Sequence, residues 1–457
     1  MLGSLGLVGP PAAEAVPTAP DPGDPDPDLD WARCGAMALT GHADGPPALA
    51  PGRPTVAMDG AALALRALAR RSGEGRSREL ERLDAPALLG ERAALGGLTR
   101  AGRSAPGGRA RLIRAADHWI AVQLARPDDV ALVPAWLEAP VGDDPWPAIE
   151  RAVRTRPAAA LVARGRWMGL PMAIAGGAPR ATPRWCRTTR LGAPGPPRPP
   201  SRLTVVDLSS LWAGPLATSL LGALGATVVK VESTPRPDGA RQGSTAFFDL
   251  MHAGKQSVAL DLGDPGQRRA LAGLLEAADV VVESARPRAL AQLGLHASAW
   301  LARRPGRTWL SITGYGRALP WGGWVAFGDD AAAAAGWCAC DDPDTGPIFC
   351  GDALADPLTG LHAAVAALAA CQAGGGVLLD VALRDVAAFA LAEPAAARRR
   401  APGEPRARVE RHGDGWRLET PRGSVQVARP RARAPRGPAP PLGRHNDVWL
   451  SPRPPAC

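Results

Sequence analysis

The feature that most constrains the fold is a regular alternation of strand-like and helix-like segments between residues 203 and 312. Short runs rich in valine and leucine predict buried strands, and the longer amphipathic runs between them predict helices. Strands joined through helices pair in parallel, with right-handed crossovers. We therefore predict a Rossmann-like parallel sheet with helices on both faces. The predicted strands are Leu203–Leu208, Thr227–Glu232, Ser257–Asp261, Asp279–Glu283 and Thr308–Ile312.

The first turn of this sheet does not have the sequence of a dinucleotide site. Residues 209–215 read Ser-Ser-Leu-Trp-Ala-Gly-Pro and lack the pattern Gly-x-Gly-x-x-Gly. In that pattern the glycines let the backbone approach a pyrophosphate closely. An NAD-dependent enzyme is therefore disfavoured.

Charge and composition point to an anionic small molecule rather than to nucleic acid. The formal net charge is +9, but only Lys230 and Lys255 are lysines, and the arginines are scattered among Ala, Pro and Gly. Aromatic residues make up 4% of the chain, which is too few for base-stacking surfaces. A modest positive field still favours an anionic ligand such as a nucleotide.

The cysteines and the hydropathy pattern predict a soluble cytoplasmic protein. The seven cysteines include no Cys-x-x-Cys pair and are odd in number, so the sequence does not predict a disulfide framework. Cys338, Cys340 and Cys350 lie near one another, but no histidine cluster completes a metal site, so no metal is predicted. No run of about 18 apolar residues is found, and residues 1–28 lack the pattern of a signal peptide. We therefore expect no membrane association.

Changes in composition divide the 457 residues into five predicted regions. A Pro/Ala/Asp-rich lead-in is predicted to be disordered, a Pro-rich stretch is predicted to be a stiff linker, and two segments carry the patterns of folded domains. The predicted regions are the disordered lead-in 1–28, a small α+β domain 29–190, the linker 191–201, the Rossmann-like domain 202–395 and a C-terminal hairpin and tail 396–457.

A second feature is the run from Gly351 to Gly360, which leads into an apolar helix predicted over Leu361–Cys371. An Asp before a Pro, as in Asp356-Pro357, is typical of a helix start, because the carboxylate accepts from free backbone N–H groups. We predict that Asp356 lies at a helix N-terminus, where the helix dipole keeps it ionised and usable as a nucleophile. The alternative is that Asp356 only caps the helix.

Several motifs resemble, in order, those of the class III (CaiB/BaiF-type) CoA-transferases. The resemblance runs from residue 203 to about 390 and reappears in the tail at 440–450. The matching motifs are 205–215, 224–232, 238–241, 254–262, 278–287, 293–295 and 311–316. The resemblance implies an acyl-CoA:carboxylate CoA-transferase of the EC 2.8.3 type, built from a Rossmann-like domain and a smaller α+β domain.

The resemblance also implies roles for particular residues. Asp356 falls on the family's catalytic aspartate, four residues before a glycine, whereas Asp352 has the wrong spacing to Gly360. In such enzymes the carboxylate forms an acyl-aspartyl anhydride and then an aspartyl-CoA thioester, from which an acceptor carboxylate takes the CoA. Acyl-CoA and a carboxylic acid are thus expected as substrates, without a tightly bound cofactor. The expected CoA contacts are Leu211, Trp212, Ala213, Ser284, Ala285 and Arg241.

Two departures from the family keep alternatives open. Ser284-Ala285 replaces the Asn-Phe of many relatives, which would suit a non-catalytic paralogue that binds CoA thioesters or serves as a scaffold. Racemases of 2-methylacyl-CoA share the fold and use a histidine in a Gly-His-Asp segment. The stretch 326–330 of this chain has no histidine, which favours transfer over racemisation.

The N-terminal segment echoes the region around the candidate nucleophile. Gly35 and Pro46 are eleven residues apart, as are Gly336 and Pro347, and the two pairs are offset by 301 residues. At this offset Thr55 takes the place of Asp356. We interpret the segment as permuted or partly duplicated, with chance similarity as the alternative, and we expect the family's homodimer.

Overall fold

The computed structural model describes residues 26–72, 77–176, 184–339, 346–392 and 407–450. Its α-helices are α1 (Pro27–Cys34), α2 (Pro54–Arg71), α3 (Arg78–Glu81), α4 (Glu91–Gly96), α5 (Pro127–Leu137), α6 (Trp146–Val153), α7 (Ala158–Met168), α8 (Ala213–Ala223), α9 (Thr245–His252), α10 (Pro265–Ala277), α11 (Pro287–Gln292), α12 (Ala297–Arg303), α13 (Gly328–Ala335), α14 (Ala355–Gln372), α15 (Leu383–Ala392) and α16 (Asn446–Leu450).

The strands are mostly short and belong to one large sheet and three small ones. They are β1 (Ala110–Arg114), β2 (Trp119–Gln123), β3 (Met172–Ile174), β4 (Cys186–Arg190), β5 (Thr204–Leu208), β6 (Thr227–Ser233), β7 (Gln256–Leu260), β8 (Val280–Glu283), β9 (Thr308–Thr313), β10 (Cys338–Ala339), β11 (Ile348–Phe349), β12 (Val377–Ala382), β13 (Arg408–His412), β14 (Gly415–Thr420) and β15 (Gly423–Gln426).

The large sheet confirms the predicted Rossmann-like α/β fold. Its strands lie in the order β4-β12-β9-β8-β5-β6-β7, and only β4 runs antiparallel to its neighbour. The chain proceeds from β5 outwards to β6 and β7, then returns to the other side of β5 to form β8 and β9. The strand order therefore reverses between β5 and β8, which is where sheets of this kind place a ligand crevice.

Alternation along the strands buries both faces of the large sheet. Val205 on β5 packs into a core with α8 and α14, whereas Val206 packs on the opposite face with α10 and α12. Because successive side chains of a strand point to opposite faces, near-continuous apolar strands suit a sheet covered on both sides. This explains why the strands in 203–312 were visible in the sequence.

The smaller sheets hold the N-terminal and C-terminal segments. Strands β1, β2 and β3 form an antiparallel sheet that packs on α5, α6 and α7 around a core of its own. Strands β13, β14 and β15 form the predicted C-terminal hairpin with one further strand. The tail then lies along the edge strand β7, where the His445 N–H donates to Ser257 O at 2.8 Å.

Several element bounds differ from the sequence prediction. Helix α1 begins at Pro27, inside the segment predicted to be a disordered lead-in, because the Asp26 carboxylate accepts the Asp28 N–H at 3.0 Å. Residues 1–25 of that segment lie outside the described residues. Helix α14 begins at Ala355, six residues before Leu361, where the apolar helix was predicted to start.

Contacts across the predicted domain boundaries are extensive. Strand β4, from the segment predicted as the small domain 29–190, pairs with β12 as the edge of the large sheet. Helices α1 and α2 share the hydrophobic core of α8 and α14. The predicted linker packs on the large domain, since the Gly195 N–H donates to Gly374 O at 2.7 Å. The five-region division stays a prediction, and residues 393–406 and 451–457 of its last two regions lie outside the described ones.

The helix bounds reproduce the internal echo of the sequence. Adding 301 to the bounds of α1 (27–34) gives those of α13 (328–335), and adding it to the bounds of α2 (54–71) gives those of α14 (355–372). Gly35 and Gly336 both end their helices in the left-handed region, at φ 92° and 97°. Matching bounds over two helices and a cap support duplication rather than chance similarity.

The length and hydropathy of the described helices bear on membrane insertion. Within the ranges given above, none of them combines the length and the apolar character that crossing a bilayer requires.

Candidate active site

A cavity of about 370 Å³ lies at the carboxyl ends of β5, β8 and β9. Its walls include Ser210, which follows β5, and Ser284, which follows β8. The Ser210 N–H donates to Ser284 Oγ at 3.1 Å and joins the two strand ends. The cavity therefore occupies the point at which the strand order reverses.

Five of the seven predicted site residues line this one cavity. The turn after β5 contributes Leu211 and Ala213, the end of β8 contributes Ser284 and Ala285, and α14 contributes Asp356. These residues are far apart in the chain, so the fold brings them together.

The turn that carries Leu211 has an unusual backbone held by a buried acid. Leu211 has φ +71°, in the left-handed region that non-glycine residues rarely adopt. Its N–H donates to Asp238 Oδ1 at 3.0 Å, and Asp238 is paired in turn with the buried Lys230 at 2.9 Å. This pairing fixes the turn at the cavity wall.

The structure does not bring Trp212 and Arg241 to the cavity. The Trp212 side chain is 2% exposed and packs edge-on against Phe247, with ring centroids 5.3 Å apart. Arg241 forms two hydrogen bonds with the Glu232 carboxylate, at 2.8 and 2.6 Å. Both side chains support the walls, and neither is among the residues that line the cavity.

Asp356 lies in the first turn of α14, but it is not the N-cap. Leu354 occupies the cap position, and Asp356 is the second residue of the helix. The Asp356 N–H donates to Ala353 O at 2.8 Å, so the backbone ahead of the helix orients this turn. Asp356 is therefore not the N-cap of α14, and its side chain faces the cavity.

Burial opposes the expected effect of the helix dipole on Asp356. Surrounding protein removes water from this carboxyl and raises its pKa from 3.8 to about 7. Two neighbouring carboxylates, Asp329 and Asp352, raise the pKa further, whereas Arg92 and the Gly328 N–H lower it. Desolvation outweighs the dipole because a helix terminus contributes only about 0.3–1 kcal/mol at most sites.

An ion pair between Arg92 and a fully buried acid lies close to Asp356. The Arg92 guanidinium donates to both oxygens of Asp352, at 2.9 and 2.5 Å, and Asp352 is fully buried. Arg92 also lies over the ring of Trp212, 5.7 Å from its centroid. Sequence reasoning set Asp352 aside on spacing and did not find Arg92, which is 260 residues away in the chain.

Gly328 begins α13 and touches the candidate nucleophile. A Cβ atom at this position would come within 2.4 Å of Ala353 O and 2.5 Å of Asp356 Oδ2. We expect Gly328→Ala to displace Asp356 and to lower the rate of a reaction at this carboxylate by about 10- to 100-fold, because catalysis is sensitive to shifts of about 1 Å.

The matched control for Gly328→Ala is Gly273→Ala in α10, where no atom lies within 4 Å of the new Cβ. This control should leave the rate unchanged and stabilise its helix by up to about 1 kcal/mol. Steady-state rates and thermal unfolding of both variants check the prediction. Wild-type rates in Gly328→Ala would contradict it.

Sequence reasoning missed much of the cavity wall. Three arginines, Arg126, Arg236 and Arg286, line it together with the loop segment 324–327. Burial lowers the pKa of Arg286, as do the nearby guanidinium groups, so several positive charges converge here. The part of the wall at the end of β9 could have been predicted from the sequence, because strands next to a switch point share the crevice.

Among the described residues, no group of three or more His, Cys, Asp or Glu is arranged to hold a metal ion.

Comparisons with known proteins find relatives of the segment that carries most of this cavity. Residues 201–421 match the model of CoA-transferase family III. A succinate–glutarate CoA-transferase of Agrobacterium fabrum is 30% identical over 214 residues, which cover 43% of this chain and 54% of that protein. The mouse succinyl-CoA:glutarate CoA-transferase is 32% identical over 195 residues, which cover 40% and 45%.

Among solved structures, a CaiB/BaiF family protein from Brucella suis is 28% identical, with a TM-score of 0.44. The alignment covers 49% of this chain and 66% of that one. The chain spans about half the length of the curated relatives that it matches. Residues 201–421 belong to CoA-transferase family III.

Proposed function

We propose that this chain is an acyl-CoA:carboxylate CoA-transferase and that Asp356 is its nucleophile. The observation that carries the proposal is the position of Asp356 on the wall of the cavity at the strand switch point. Asp356 is the one acidic residue among the described residues that line this cavity. Ligand crevices of parallel sheets lie at such points, and the surrounding segment is that of a CoA-transferase family.

The proposed chemistry needs only the carboxylate and the two substrates. Asp356 attacks the thioester carbonyl of the donor, and the C–S bond breaks to give an acyl-aspartyl anhydride and CoA thiolate. The thiolate attacks the aspartyl carbonyl, which releases the donor carboxylate and leaves an aspartyl-CoA thioester. The acceptor carboxylate then repeats both steps in reverse and regenerates Asp356. A carboxylate suits this cycle because it is both a nucleophile and a good leaving group.

The charge of the cavity supports an anionic substrate. Arg126, Arg236 and Arg286 line it, and the phosphates of CoA are anions that arginine binds well. The Asp129 carboxylate holds Arg126 in place, with an Nε–Oδ1 distance of 3.0 Å. We propose that these arginines bind the phosphate groups while Leu211, Ala213, Ser284 and Ala285 line the path towards Asp356.

The names of the relatives indicate which carboxylic acids to test first. The relatives are named for succinate, glutarate, citramalate and oxalate, and we propose that small carboxylic acids of this kind are the first to test. The homodimer and the cytoplasmic location stay predictions.

The test is mass spectrometry of the full chain after incubation with acetyl-, succinyl- or glutaryl-CoA and hydroxylamine. An anhydride or thioester on Asp356 is converted by hydroxylamine into a stable hydroxamate, so we expect a mass change on the peptide that holds Asp356. Asp356→Ala should give no such adduct. CoA binding without an adduct from any donor would favour the scaffold alternative, and deuterium uptake at the 2-position would favour a racemase. Absence of CoA binding would overturn the family-based function.

A further inference from the structure

The loop just before α14 has an unusual backbone. Gly351 has φ +70° and Ala353 has φ +45°, both in the left-handed region. A non-glycine residue in such a conformation costs of order 1–3 kcal/mol and persists only where neighbouring groups hold it. Since Ala353 O accepts the Asp356 N–H, the shape of this loop sets the position of the first helical turn.

Three groups hold the loop from outside. The Thr40 hydroxyl accepts the Gly351 N–H at 2.8 Å. The Asp329 carboxylate of α13 accepts the Ala353 N–H at 2.8 Å. Arg92 of α4 binds both oxygens of Asp352. Two of the three groups therefore come from the N-terminal segment, more than 250 residues away in the chain.

The same contacts place one positive charge among three acids. Burial with Asp352 as neighbour raises the pKa of Asp329 to about 6, and both Asp329 and Asp352 help to raise the pKa of Asp356. Arg92 is the cation that opposes them at Asp356. The further charged residues that line the cavity are Arg126, Arg236 and Arg286.

We propose that Arg92 and Thr40 are positioning residues for Asp356, and that the N-terminal segment is thereby a working part of the catalytic centre. Arg92 acts through Asp352 and by its charge, and Thr40 acts on the loop backbone. This inference rests on the proposed function for its catalytic meaning, although its electrostatic part can be measured without turnover.

The internal duplication agrees with different roles for the two copies, one carrying the acids and the other holding their loop. At the offset of 301 residues, Pro51 takes the place of Asp352 and Thr55 that of Asp356. The N-terminal copy therefore lacks both acids of the loop. The N-terminal segment instead supplies two side chains that hold the loop of the other copy, Thr40 and Arg92.

The test is a carboxyl ¹³C NMR titration of the full chain with ¹³C-labelled aspartate, in which Asp356→Asn identifies the Asp356 signal. Loss of the cation in Arg92→Ala should raise the pKa of Asp356 by about one unit or more, and loss of the anion in Asp352→Asn should lower it by a similar amount. Shifts of opposite sign distinguish electrostatic control from general loosening of the fold.

Two further variants complete the design. Arg70→Ala removes an exposed arginine of the same segment that pairs with Glu81 and should leave the pKa of Asp356 unchanged. Thr40→Val, which removes no charge, should leave the pKa unchanged and lower kcat by about tenfold with little change in KM.

The outcomes separate the two proposals. If Arg92→Ala does not fold, Arg92→Gln, which removes the charge but keeps much of the side-chain volume, and Asp352→Asn still test the sign of each shift. Equal pKa values of Asp356 in wild type, Asp352→Asn and the Arg92 variants would overturn the positioning role. Opposite shifts without any Asp356 hydroxamate would overturn the proposed function alone.

Discussion

Asp356→Asn is expected to abolish CoA transfer and to make the folded protein more stable at pH 8. Loss of a catalytic nucleophile commonly costs a factor on the order of 10⁴ or more in rate. The stability gain arises because the pKa of Asp356 is about 7 in the folded protein and its ordinary value is 3.8. The folded state binds this proton more tightly than the unfolded state does, so ionisation of Asp356 destabilises the fold.

The pH dependence of this effect has a definite sign. As pH rises from about 4 to about 7, the wild type loses stability that the asparagine variant keeps. Each pKa unit corresponds to 1.36 kcal/mol, and we expect about 1–3 kcal/mol of the possible gain to be realised at pH 8. Below pH 4 the two proteins should converge, because the carboxyl is then protonated in both states.

Urea unfolding at pH 4 and pH 8 measures the difference directly. Asp44→Asn, which replaces an exposed acid by its amide in the same way, is the matched control. Transfer activity of the wild type should rise with pH through about 7, since the nucleophile must be ionised. An asparagine variant that is less stable than wild type at pH 8 would refute the burial argument.

Asp207→Ala is expected to destabilise the protein by about 3–5 kcal/mol. Asp207 is fully buried at the end of β5, where it accepts from the Lys255 ammonium at 3.0 Å, from Thr218 Oγ1 at 2.6 Å and from the Ser209 N–H at 3.0 Å. Removing one partner of a buried ion pair leaves the other charge uncompensated, which is among the costlier single changes.

Burial and charge pairing have opposite effects on the pKa values of Lys255 and Asp207. Burial lowers its pKa to about 8 even though Asp207 opposes that change. Conversely, Lys255 and Lys230 help to lower the pKa of Asp207 to about 2, against the effect of burial. The stabilisation by Asp207 is therefore present above about pH 4 and is lost as pH falls through 2.

A double-mutant cycle in urea tests the network. Asp207→Leu combined with Lys255→Met should recover most of the stability lost in Asp207→Leu, because removing both charges leaves none unpaired. Asp261→Ala, which removes an acid after β7 that accepts the Gly263 N–H at 2.8 Å, should cost about 1 kcal/mol. A cost as small as this in Asp207→Ala would show that the ion pair is not needed.

Local patterns in the sequence determined the Rossmann-like sheet and the place of Asp356. The strands in 203–312 are apolar on both faces, so each of them is a nearly continuous run of apolar residues in the sequence. The Asp-Pro pair predicted that Asp356 lies at a helix N-terminus, and in the structure Asp356 is the second residue of α14. The echo at 301 residues was also visible, because duplication leaves similar spacings of glycine and proline.

Only the tertiary structure decided the chemistry of the site. The pKa of Asp356 depends on how much water the surrounding elements remove, and this burial cannot be inferred from the residues next to Asp356 in the sequence. Trp212 lies next to cavity residues in the chain, yet its side chain turns into the core. Arg92 reaches Asp352 across 260 residues. Sequence encodes backbone preference residue by residue, whereas desolvation and long-range charge pairing exist only once distant segments have packed together.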